Sequence, residues 1–157
     1  MGHVDVNVLV RAPLDLTWRV TNDLSAWDRE RHRFLDGPGS GNRVVFEVVV
    51  PATDDAPSRT YSVDRCADET HRLVYSRRWD NHPYRYSIAW WLYEAVEGGT
   101  AVRCVQDFEL EPDATFDEAE AARRMGASAR AALERMARRV EAAAGPAAAA
   151  PGPRVGQ

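Results

Sequence analysis

The spacing of the apolar residues changes once along this chain, and that change limits the folds open to it. From His3 to Val10 apolar and polar residues alternate, which is typical of a half-buried β-strand. After about Asp117 the apolar residues recur at helical spacing instead: Ala122, Met125, Ala129, Leu133, Met136 and Val140. Between these two segments lie short helical patterns and further alternating runs. A chain with this order must cover its strands largely with one long C-terminal helix.

The predicted order of elements is one strand, two short helices, five or six antiparallel strands and a helix over roughly Asp117 to Ala143. The two short helices come from the segment "APLDLTWRVTNDLSAW". An antiparallel sheet needs one of its faces covered, and one helix cannot fill a wide, curved sheet. We therefore predict an α+β fold of the helix-grip class, in which a curved antiparallel sheet surrounds a long C-terminal helix and encloses an interior cavity.

The length of 157 residues suits a single domain. We assign residues 1–143 to this domain. The tail at 144–157 is rich in alanine, proline and glycine, and we predict that it is disordered. The segment "DGPGSGN", residues 36–42, is typical of a turn, and it lacks the Lys-Ser/Thr pair of a phosphate-binding loop.

Composition excludes several classes of protein. The formal net charge of -4 argues against a nucleic-acid binder, whose affinity comes mainly from neutralised phosphates. No apolar run is long enough for a transmembrane helix, so we expect no membrane insertion. Two cysteines are too few for a disulfide framework, and a reduced cytoplasmic protein is expected. Four scattered histidines have no ligand spacing, so no metal site is predicted.

One alternating strand carries the most informative charge. In "RTYSVDRCAD", Tyr61 and Arg65 share a face. If that face points inward, a guanidinium lies in an apolar cavity, where it can polarise a ketone and stabilise an enolate. The alternative is a surface arginine paired with Asp64 or Asp68.

Residues 78–110 concentrate three tryptophans and three tyrosines on two predicted neighbouring strands. Ser87 and Trp91 share one strand face, where a small residue beside an indole suits a cavity wall that stacks on a flat ligand. Gln106, on the next strand, could donate a hydrogen bond to a ligand carbonyl. The alternatives are ordinary core packing for the tryptophan and a satisfied or solvent-facing side chain for the glutamine.

The segment that follows the short helices is rich in charge. Trp27 is predicted near the mouth of the cavity, and His32, in "RERHRF", could move protons near neutral pH. Arg29, Arg31 and Arg33 could meet an acidic carrier protein or its phosphate. The alternatives are a tryptophan that packs on the sheet and a simply solvated, charged loop.

Several of these segments together resemble a known family. The "APxxLxWxVTNDxxAW" pattern after the first strand, and the "EGGTAVRCVQDFEL" segment before the last helix, resemble the single-domain aromatase/cyclases of bacterial type II polyketide synthesis. These belong to the START or Bet v 1-like superfamily. The resemblance covers about residues 4 to 142.

The resemblance implies a cofactor-free cytoplasmic protein with an acyl carrier protein and a minimal type II polyketide synthase as partners. It would fold a carrier-bound poly-β-ketone and direct its aldol cyclisation, dehydration and aromatisation. It also implies pocket positions at Trp27, Arg65 and Trp91. Phe34 stands where a characterised member of the family has a tyrosine, so protons would travel through Tyr61, His32 or an ordered water.

The predicted site therefore has two sets of residues. The predicted catalytic residues are Arg65, Tyr61 and His32. The predicted substrate-binding residues are Trp27, Phe34, Ser87, Trp91 and Gln106. The alternative function is that of a non-catalytic protein of the same fold that binds a quinone, a lipid or a polyketide; a protic group deep in the cavity beside Arg65 would favour the enzyme.

Overall fold

A computed structural model describes residues 1–35 and 42–146. The turn predicted at 36–42 lies almost wholly outside these ranges, and so do residues 147–157 of the predicted tail. The elements, in chain order, are β1 (Gly2–Val10), α1 (Leu14–Thr21), a 3-10 turn (Leu24–Ala26), β2 (His32–Phe34), β3 (Arg43–Val50), β4 (Arg59–Asp68), β5 (Leu73–Trp79), β6 (Tyr84–Val96), β7 (Gly99–Leu110) and α2 (Glu118–Ala144).

In the described part of the chain, seven strands form one antiparallel sheet in the order β1-β7-β6-β5-β4-β3-β2. From β2 to β7 each strand pairs with the next along the chain, while β1 closes the far edge against β7. This architecture confirms the predicted α+β helix-grip class. The short strand β2 was not predicted, because its charged sequence "HRF" shows no alternation long enough to indicate a strand.

The long helix α2 agrees with its predicted bounds to within one residue at each end. Asp117 caps its first turn, where the carboxylate accepts a hydrogen bond from the backbone N–H of Glu120 at 2.8 Å. At the other end Gly145 has a φ of 72°, a conformation that glycine adopts readily after a helix. The buried face of α2 follows the predicted period: Ala121, Met125, Ala129, Leu133, Met136, Ala137 and Val140.

The buried residues form two separate clusters. The larger joins α2 to β1, β7, α1 and part of β6, and α2 approaches β1 closely enough that a Cβ added at Gly126 would lie 3.7 Å from Val4. The smaller consists of Val44, Phe46 and Val63 on β3 and β4. Space remains between the smaller cluster and the C-terminal half of α2.

Across the described residues, helices of the length and hydropathy needed to span a bilayer are absent.

Candidate functional site

A cavity of about 570 Å³ lies between the concave face of β3 to β6, the segment after α1 and the C-terminal half of α2. Its wall is mixed, with apolar and aromatic side chains interleaved with guanidinium groups. The described residues that line it are Thr21, Ala26, Trp27, Asp28, Arg31, His32, Phe46, Val48, Tyr61, Val63, Arg65, Val74, Ser76, Arg78, Trp91, Tyr93, Ala132, Arg135, Met136 and Arg139.

Strand register brings the predicted residues of different strands together on this wall. Arg65 of β4 lies opposite Ser76 of β5, and Val74 of β5 lies opposite Trp91 of β6. Side chains directly opposite each other in a sheet share one face. The alternation seen in the sequence therefore places Arg65 and Trp91 on the same concave surface.

Arg65 is the most informative group in the cavity. Its side chain is buried, with only 8% of the residue exposed. One guanidinium nitrogen, Nη2, donates to the Oδ1 atom of Asn22, and the guanidinium carbon lies 5.4 Å from the centre of the Trp27 ring. Burial lowers the pKa of Arg65, yet an arginine remains charged at neutral pH.

No carboxylate among the described residues pairs with Arg65. Asp64 binds Arg43 on the opposite face of the sheet, and Asp68 binds His71. The surface ion pair considered from the sequence is therefore not formed. The cavity holds a cation whose remaining donors face the space a ligand would occupy.

Tyr93 lines the cavity beside Arg65 and was not selected from the sequence. It is 7% exposed, and its ring packs edge-on against Trp18 at 5.1 Å between centres. Burial raises the pKa of the Tyr93 phenol, and interactions with Thr21 and Arg65 oppose this rise only in part. The phenol is thus protonated at neutral pH and can donate a proton. The signal was available, because Tyr93 continues the alternation that placed Trp91 on the inner face.

Trp27, His32 and Tyr61 also line the cavity. The His32 ring lies 4.9 Å from the Trp27 ring, and its Nδ1 atom lies 3.0 Å from the backbone carbonyl oxygen of Asp28. Because a carbonyl can only accept, this bond places the proton on Nδ1 and leaves Nε2 as an acceptor. The Tyr61 ring lies near two guanidinium groups, those of Arg59 at 5.9 Å and Arg78 at 5.6 Å.

Three predicted binding residues lie outside the described cavity wall. Phe34 packs against Phe46, with ring centres 5.6 Å apart, and the Arg29 guanidinium lies 4.6 Å above it. Phe34 therefore stands behind a residue that lines the cavity.

Ser87 and Gln106 lie on the concave face but further along the sheet. Gln106 is opposite Val4, the residue over which α2 passes at Gly126, so the helix covers this region. The Ser87 Oγ and Gln106 Oε1 atoms are buried without a hydrogen-bond partner among the described residues, while Gln106 Nε2 donates to Cys104 Sγ at 3.4 Å. Neither side chain reaches the cavity wall in this structure.

Within residues 1–35 and 42–146, no three histidine, cysteine or acidic side chains lie close enough together to hold a metal ion.

A family model described as "Polyketide cyclase / dehydrase and lipid transport" matches residues 1–141. A protein of Streptomyces cyaneus that bears the name "Putative polyketide cyclase" is 30% identical over 121 residues, which are 75% of this chain and 80% of that protein.

Solved structures show the same fold. The Zhui aromatase/cyclase from Streptomyces sp. R1128 superposes with a TM-score of 0.71 at 21% identity, over 92% of this chain and 96% of that one. A protein of Thermus thermophilus, TTHA0849, superposes with a TM-score of 0.73 at 16% identity, over 90% of this chain and 99% of that one.

Proposed function

Because the chain belongs to the family of polyketide cyclases, dehydrases and lipid transport proteins, we propose that it is a polyketide aromatase/cyclase. It directs the regiospecific aldol cyclisation of a poly-β-ketone, followed by dehydration and aromatisation. The observation that carries this proposal is the buried Arg65, which faces an aromatic-walled cavity without a carboxylate partner among the described residues.

Arg65 supplies electrostatic stabilisation. An aldol step removes a proton beside one ketone, and the resulting enolate carbon attacks a second ketone carbon. Negative charge develops on oxygen in both events. A guanidinium held in place by Asn22 and Trp27 stabilises that charge without having to reorganise during the reaction.

Two kinds of group complete the proton transfers. His32, with Nε2 as an acceptor, takes the proton from the carbon between two ketones. Tyr93 gives its proton to the oxygen that leaves as water in the dehydration, and recovers one from the ring carbon that loses a proton as the double bond forms. Tyr61 lies at the outer end of the polar wall and orients a further ketone. No oxidant is needed, since cyclisation and loss of water alone produce the aromatic ring.

Shape supplies the regiochemistry. A poly-β-ketone cyclises without an enzyme, but into a mixture of products. Trp27 and Trp91 provide flat surfaces on which one folded conformer is held with its reacting carbons close together. Holding one conformer near attack geometry lowers the barrier for that ring closure relative to the others by several kcal/mol.

The proposed partner is an acyl carrier protein of a minimal type II polyketide synthase, which presents the chain at the mouth of the cavity. Arg31, Arg135 and Arg139 are exposed and line this mouth. A positive rim suits an acidic carrier protein and the phosphate of its prosthetic arm. The proposed compartment is the cytoplasm, where Cys66 and Cys104 stay as the free thiols seen here.

The test is reconstitution of a minimal type II synthase with and without this protein, with products separated by chromatography. The proposal expects one aromatic product to be enriched over the spontaneous mixture. Identical product profiles in the two reactions would refute it.

Trp91→Ala removes shape from the cavity wall without removing charge. We expect total polyketide output to persist while the share of spontaneous shunt products rises several-fold, because the chain is no longer held in one conformer. Chromatography of the reconstituted reaction measures this share. Trp90→Ala, whose side chain points to the opposite face of the same strand, is the matched control and should leave the product ratio unchanged.

Tyr93→Phe removes one hydroxyl and keeps the ring that packs on Trp18. We expect the cyclised but hydrated aldol product to accumulate by about tenfold or more relative to the wild-type protein, as for loss of a general acid. Mass spectrometry resolves it from the aromatic product by one molecule of water. Tyr75→Phe, on the outer face beside Trp90, serves as the control. A Tyr93→Phe profile equal to that of the wild type would remove Tyr93 from the mechanism.

The family description also names lipid transport, and much of the cavity wall is apolar. A non-catalytic carrier for a hydrophobic ligand is therefore the second candidate function. The buried Arg65 and the protonated Tyr93 favour the enzyme, because a carrier for neutral ligands gains nothing from a guanidinium without a counter-charge.

A further inference from the structure

The cavity wall is strongly positive in a protein whose formal net charge is -4. Among the described lining residues, five are arginines and one is acidic, an excess of four positive charges. These residues are Arg31, Arg65, Arg78, Arg135, Arg139 and Asp28. His32 is the remaining lining group that titrates near neutral pH.

The three outer arginines are exposed, so water and salt screen their charges. Arg31 also lies 3.9 Å from Asp28, and Arg139 donates to the backbone carbonyl of Val20 at 3.4 Å. These groups can attract an anion to the mouth, but they discriminate weakly between ligands. The inner pair, Arg65 and Arg78, decides what binds.

Arg65 and Arg78 lie on neighbouring strands and on the same face. Arg65 is opposite Ser76 in β5, and Arg78 follows Ser76 by two residues, so the two arginines are diagonal neighbours across the sheet. Ser76 is 8% exposed and places a hydroxyl group between them. Arg78 makes a cation–π contact with Tyr61, and, like Arg65, it has no carboxylate partner in the described part of the chain.

We infer that the cavity binds its ligand as an oxyanion, and that the substrate class is an acidic 1,3-diketone held as its enolate between Arg65 and Arg78. This inference rests on the proposed function in that it concerns the same cavity. A 1,3-diketone enolate spreads one negative charge over two oxygens that are separated by three carbons. Two guanidiniums with a hydroxyl between them offer donors to both oxygens at once.

Electrostatics explains why such a site favours the anion over the neutral diketone. Two like charges in a partly buried wall repel each other and lose hydration, and an anionic ligand offsets both effects. The same attraction makes the bound diketone a stronger acid than it is in water. The site therefore assembles the nucleophile of an aldol reaction at a pH where little enolate exists in solution.

The experiment uses 1-phenylbutane-1,3-dione as the probe, because its enolate absorbs at a longer wavelength than its neutral form. The probe is titrated from neutral to alkaline pH with the full chain in excess, and protein-only spectra are subtracted. We expect the pKa of the bound probe to fall by about one to two units, which is a preference of about ten- to hundredfold for the enolate. The 2,2-dimethyl analogue cannot form that enolate and should bind at least about tenfold more weakly at mildly alkaline pH.

Arg78→Gln tests the inner pair, and Arg77→Gln is its matched control. Arg77 is the preceding residue of β5, is exposed and points to the opposite face. Arg78→Gln should return at least half of the pKa shift of the probe, while Arg77→Gln should leave it unchanged. Thermal melts of both variants establish that the fold is retained.

A bound probe with the same pKa as in buffer would overturn the inference, as would equal effects of the two substitutions or failure of the probe to bind. The proposed cyclase function is judged separately by the reconstituted synthase. A protein that directs cyclisation without shifting the pKa of the probe would retain the function and lose this inference. A protein that shifts the pKa of the probe but leaves the product mixture unchanged would retain the inference and lose the cyclase function.

Discussion

Replacing Arg65 by methionine should lower the yield of the correctly cyclised product by about a hundredfold, the usual effect of removing one preorganised donor from a site of developing negative charge. The folded state should be at least as stable as that of the wild type. Arg65 is a buried cation with no carboxylate partner among the described residues, so its removal relieves a desolvation penalty. Methionine fills similar volume, and the half-buried Asn22 can turn its freed oxygen to water.

The measurement pairs product chromatography from the reconstituted synthase with a thermal melt. Arg77→Met is a suitable control, since it removes an exposed guanidinium from the neighbouring strand on the opposite face. If Arg65→Met keeps the wild-type product ratio at an unchanged melting temperature, Arg65 does not act on the substrate. In that case the hydrophobic-ligand carrier becomes the better account of the cavity.

Leu133→Ala should produce the largest loss of stability among simple truncations of α2. Leu133 is fully buried in the larger cluster, between the helix and the sheet. Truncation removes its apolar contacts and leaves a void, which together cost about 2 to 5 kcal/mol of unfolding free energy. Urea unfolding followed by circular dichroism measures this loss as a lower midpoint at an unchanged slope.

Leu9→Ala provides the comparison for the same chemical change at the surface. Leu9 is 49% exposed on the outer face of β1, so its truncation should change the unfolding free energy by less than about 0.5 kcal/mol. Similar losses for Leu9→Ala and Leu133→Ala would contradict the packing described for α2.

The fold was accessible from the sequence because its two periodicities are long and unmixed. The alternation in β1 and the helical spacing from Ala122 to Val140 each extend over several turns or pairs of residues, and both determined the element bounds closely. The short strand β2 escaped prediction because three residues carry no period, and its pairing with β3 is a tertiary effect.

The site was accessible only in part, for a geometric reason. Alternation shows which face of a strand a residue occupies, and it placed Arg65 and Trp91 on the face that lines the cavity. It does not show where along the strand the helix crosses. Ser87 and Gln106 share that face but lie where α2 covers the sheet, while Tyr93 lies at the open part.

The separation of the buried residues into two clusters has a consequence for how such a protein can change. Residues that hold α2 against β1 and β7 carry most of the folding free energy, whereas the inward side chains of β3, β4 and β5 mainly shape the cavity. A substitution on these three strands can therefore alter which molecule fits at little risk to the scaffold. Natural variation and laboratory libraries alike have a region where new specificities are reachable by single steps, because the part that must be conserved for folding lies elsewhere.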